Sequence, residues 1–69
     1  MNNNISTEAM IQYLQSMLDD FEVNRKRYGD DDRIVNKKFD AMIACKNMVE
    51  ELIQEPVNIR QDGKVTIGF

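Results

Sequence analysis

Histidine and tryptophan are absent from this chain, cysteine and proline occur once each, glycine three times, and aromatic residues make up only 7%. Without histidine there is no Ser-His or Cys-His pair to activate a nucleophile, and zinc sites of the common histidine-containing types are excluded. The lone Cys45 cannot form an internal disulfide. It lies in the middle of an apolar helical pattern with no evident activating base, so its expected role is that of a small core residue in a reducing interior. No stretch approaches the roughly 20 apolar residues that a membrane-spanning helix needs. The opening MNNNISTEA lacks the basic and apolar regions of a signal peptide, and a cytoplasmic protein is expected.

These absences remove most catalytic chemistries. Acidic neighbours such as Asp19-Asp20 and Glu50-Glu51 point in different directions on a helix and read as solvated charge. The run GDDDR lacks the alternating ligands, central glycine and twelfth-position glutamate of a calcium loop, and helix capping accounts for it better. The chain is therefore expected not to be an enzyme, and to use neither metal nor cofactor. Its net charge of -3 weighs against a protein that coats nucleic acid.

What is present is a strong helical pattern followed by a short extended one. Residues 1–5 read as a frayed polar N-terminus, with Ser6 as N-cap and Ile5 and Met10 spaced as a hydrophobic staple. Helix 1 is expected over 7–27, with Met10, Leu14, Met17, Phe21 and Tyr28 on one stripe that Ile11 and Leu18 widen. Asn24, Arg25, Lys26 and Arg27 suit the negative end of its dipole, and Gly29 is expected in the left-handed C′ position beyond it. The aspartates at 30–32 supply a cap for helix 2, expected over 32–54, and the short connection forces an antiparallel helical hairpin.

Helix 2 carries two adjacent apolar lobes, Ile34, Ala41, Cys45, Met48 and Leu52 on one side and Val35, Phe39, Met42, Val49 and Ile53 on the other. Helix 1 can cover one of them, so the other needs a second cover. Pro56 stops the helix, and residues 57–69 alternate as a β-hairpin. A two-residue Asp62-Gly63 turn would put the apolar residues of the two strands on opposite faces. A three-residue loop, Gln61-Asp62-Gly63, instead pairs Ile59 with Val65 and Val57 with Ile67, and this register is expected because it keeps one face apolar. A lone hairpin is barely stable, so its apolar face is expected to cover the spare lobe of helix 2, in its own chain or in a partner's, while its edges stay open to strand addition.

The fold class that follows is α+β, mainly α: an antiparallel helical hairpin followed by a C-terminal β-hairpin, in one small domain of 69 residues. Cores of this size bury only about 60% of the unfolded chain's surface, and with disulfides and zinc removed, homo-oligomerisation is the remaining supplement. The expected interface uses Phe39, Met42, Val49, Ile53, Val57, Ile59, Val65, Ile67 and Phe69. The methionines on the apolar stripes suit either core filling or an adaptable binding surface.

The function expected is that of a non-enzymatic module that binds a larger, unidentified protein, a regulator or inhibitor of the phage-encoded kind that also self-associates. The alternative is an oligomer that sequesters a small anion such as a nucleotide between subunits, with Arg60 and Lys64 as anion contacts. A DNA-binding regulator is the third reading, disfavoured by the acidic balance.

Overall fold

The computed structural model describes residues 6–68. Helix α1 spans Thr7–Tyr28, helix α2 spans Arg33–Ile53, and strands β1 (Val57–Ile59) and β2 (Val65–Ile67) form a two-stranded antiparallel sheet. The chain is thus a helical hairpin followed by a β-hairpin, an α+β fold dominated by α. Among the described residues no helix is long and apolar enough to cross a membrane. The expected staple residue Ile5 and the frayed segment 1–5 lie outside the described residues, as does Phe69.

Both helices start on capping residues. The Ser6 hydroxyl accepts the Ala9 N–H at 3.0 Å, and Asp32 Oδ1 accepts the N–H groups of Ile34 and Val35 at 2.9 and 3.1 Å. Helix α1 runs on to Tyr28 and ends where Gly29 takes φ +91° and ψ 165°, not the left-handed helical conformation expected of it but an extended region at positive φ essentially reserved for glycine. Helix α2 stops at Ile53, three residues before the proline expected to end it. Gln54 adopts a left-handed conformation, φ 60°, and its N–H closes onto the Glu50 carbonyl at 2.9 Å.

The strand register pairs Val57 with Ile67, Asn58 with Thr66 and Ile59 with Val65. The loop Gln61-Asp62-Gly63 is closed by Arg60 N–H to the Lys64 carbonyl at 2.9 Å, with Gly63 at φ +83°. This arrangement puts Val57, Ile59, Val65 and Ile67 on one face of the ribbon.

The hairpin does not sit on a lobe of its own. Its buried Val57 and Val65 join Leu14, Leu18, Met42 and Val49 in a single core cluster, so α1, α2 and the hairpin converge on the same side of α2. The expectation that helix 1 and the hairpin would divide the two lobes is corrected by this packing. Val35, Met42 and Val49 are buried, whereas Ile34, Met48 and Leu52 of the other lobe are 59%, 61% and 65% exposed. The physical reason is reach. The link from Gln54 to Pro56 is too short to carry the hairpin around α2, so it folds into the seam that the two helices already share.

Candidate functional site

Two polar side chains position the hairpin. The Gln15 carboxamide faces the outer edge of β2, where Nε2 donates to the Gly63 carbonyl at 2.6 Å and Oε1 accepts the Val65 N–H at 2.9 Å. The paired donor and acceptor of an amide side chain thus stand in for a neighbouring strand. On the other edge, Glu50 Oε2 accepts the Val57 N–H at 2.7 Å and receives Lys46 Nζ at 3.3 Å. The Val57 N–H chiefly, with Lys46 assisting, lowers the Glu50 pKa from its ordinary value, while partial burial works in the opposite direction. Glu50 is therefore an edge clamp and not the solvated charge its sequence context implied. The strand edges expected to stay open are each capped at one N–H from a helix.

The hairpin and the helices enclose two open grooves. One, of about 800 Å³, runs between the later turns of α1 and the loop, and is lined by Phe21, Phe39 and Ile59 together with Arg25, Lys26, Arg60 and Lys64 and the carboxylates Asp19, Glu22 and Asp62. The other, of about 500 Å³, lies between α2 and β1 and is lined by Phe39, Met42, Ile43, Lys46, Glu50 and Ile59, among others. Phe39 stands where they meet. The residue is 43% exposed, and its ring rests against Phe21 with centroids 5.5 Å apart and planes tilted by 48°.

The anion contacts expected at Arg60 and Lys64 fall in the larger groove, but with carboxylates beside them. Arg60 pairs with Asp62 at 3.3 Å, and Arg25 pairs with Glu22 at 2.9 Å and with Asp30 at 3.5 Å. Four cations against three carboxylates make a mixed rim instead of a phosphate cradle.

Of the other residues expected at an interface, Met42, Val49, Val57 and Val65 are buried within their own chain, and Ile53, Ile59 and Ile67 are partly covered. Phe39 is the exposed member of that set among the described residues. Cys45 packs partly covered against the core cluster. A second surface lies across α2 from the hairpin, where Ile34, Ala41, Met48 and Leu52 are exposed. The ion pair between Lys38 Nζ and Asp20 Oδ2, 2.7 Å long, ties α1 to α2 on this same side.

Comparison with protein families, curated proteins and solved structures found no match for this chain, so its surfaces are read from their own chemistry.

Proposed function

We propose that this chain is a non-enzymatic, cytoplasmic interaction module, a regulator or inhibitor of the phage-encoded kind, that self-associates and acts by binding a larger protein. The observation that carries the reading is Phe39, a half-exposed ring at the junction of two open grooves with charges of both signs around it. A supported aromatic anchor with a mixed polar rim matches the anatomy of a protein–protein contact. Small-molecule sites are more enclosed and converge a few polar groups on the ligand. The alternative, a small anion held between subunits, draws support only from Arg25, Lys26, Arg60 and Lys64 lining one groove.

Affinity capture from the native host followed by mass spectrometry identifies the partner, and purified partner then titrates the wild type against Phe39→Ala. The expected result is a loss of roughly tenfold or more in affinity with the helical circular-dichroism signal retained. Equal affinity of both proteins for the partner overturns the reading. A melting temperature raised by nucleotides, with no protein captured, favours the anion alternative.

A further inference from the structure

The outer face of α2 repeats every seven residues. Ile34, Ala41 and Met48 form one series, Lys38, Cys45 and Leu52 form another four residues on, and together they have the spacing of a coiled-coil seam. Nothing in the described chain covers Ile34, Met48 or Leu52, which are more than half exposed.

We propose that this seam is covered by α2 of a second copy of the chain, running antiparallel about a two-fold axis at the level of residue 43, the midpoint of Arg33–Ile53. In this register Ile34 lies opposite Leu52 of the partner subunit and Ala41 opposite Cys45 of the partner subunit, while Lys38, held by Asp20 of α1 at 2.7 Å, stays at the edge of the seam. The small residues Ala41, Ala44 and Cys45 fall near the axis, where the helices come closest.

Charge selects both the occupant and its direction. Lys37, Ala44 and Glu51 recur at sevens along the flank of the seam, and among the described residues neither Lys37 nor Glu51 has an ion-pair partner. An antiparallel copy sets Lys37 beside the partner subunit's Glu51 twice, once on each side of the axis, whereas a parallel copy turns this flank toward the uncharged positions 35, 42 and 49 of the other helix and leaves both charges unpaired. The same polarity is a burden on the isolated helix. Beyond its Asp32 cap, α2 has no acidic residue in its first turn and no basic residue in its last, and Arg33 and Glu51 both oppose the macrodipole. An antiparallel neighbour turns that unfavourable distribution into a complementary one.

The inference rests on the self-association in the proposed function and is independent of the larger partner. Light scattering behind size exclusion on the full chain at tens of micromolar is expected to give a dimer mass, and Leu52→Glu a monomer with unchanged helical content. Lys37→Glu and Glu51→Lys are each expected to raise the dimer Kd roughly tenfold at low salt, and the double reversal to restore it. A wild-type monomer that melts cooperatively overturns the self-association and this seam with it. A dimer that is indifferent to the single reversals, or that the double reversal fails to restore, overturns the antiparallel seam alone. Phe39→Ala, which tests the larger partner, leaves the dimer mass unchanged if the two surfaces are separate.

Discussion

Met42 and Met48 are the same residue type on the same helix, yet one is 1% exposed and the other 61%. Met42 lies where α1, α2 and the β-hairpin all converge, while Met48 lies on the lobe that none of them reaches. Hydrophobicity specified that both lobes prefer cover, but cover went to the side on which two neighbours could pack at once. A short linker made that side the same one for both. The comparison teaches that on a small fold an apolar stripe reads as a demand for a partner, and the connectivity decides whether the chain itself meets it.

The largest expected effect comes from putting a charge into each lobe. Met42→Asp buries an unpaired carboxylate at a cost of several kcal/mol, comparable with the whole stability of a small domain, and is expected to abolish the cooperative melt. Met48→Asp is expected to keep the monomer fold and lose self-association. Circular dichroism and light scattering on the two variants separate the outcomes, and a folded Met42→Asp protein would show that the core has been misassigned.

Next in size is the Gln15 clamp. Gln15→Ala removes both hydrogen bonds to the hairpin backbone and is expected to cost about 1–3 kcal/mol by denaturant unfolding. Gln15→Glu is expected to be no better, because a carboxylate oxygen would then face the Gly63 carbonyl where Nε2 now donates. Gly63→Val is expected to cost roughly 1–2 kcal/mol, since a Cβ there meets open space but a β-branched residue strongly disfavours φ +83°.

The Glu50 clamp makes stability depend on pH. Its folded-state pKa lies below its unfolded one, so as pH falls the unfolded chain takes up the proton first. The contribution is therefore fully present above the ordinary glutamate pKa of about 4.3 and lost as pH falls through the lower folded value. The melting temperature of wild type relative to Glu50→Gln is expected to narrow on acidification, and a constant gap would remove Glu50 from its assigned role. The smallest effect is expected from Asp62→Asn. The replacement keeps the Oδ1 acceptor for the Lys64 N–H, held at 3.1 Å, and is expected to change stability by less than about 0.5 kcal/mol.

The features written into local sequence are the two helices, their caps at Ser6 and Asp32, the tight connection at Gly29 and the strand register. Each depends on residues a few positions apart: an oxygen three residues before an orphan N–H, an apolar step of three or four, a glycine where φ must be positive. Even here Gln54 escaped notice as the end of α2, because a left-handed non-glycine residue carries no compositional signal. The roles of Gln15 and Glu50 were likewise illegible. Gln15 meets a strand 50 residues away, and its spacing to Val65 is invisible to any periodicity. Only the tertiary structure decided that the hairpin edges are clamped, that Phe39 stands at a junction of grooves, and that the lobe of Ile34, Met48 and Leu52 is left bare. Periodicity assigns residues to a face of a helix, but which face is covered depends on where a connection of a few residues allows the next element to pack.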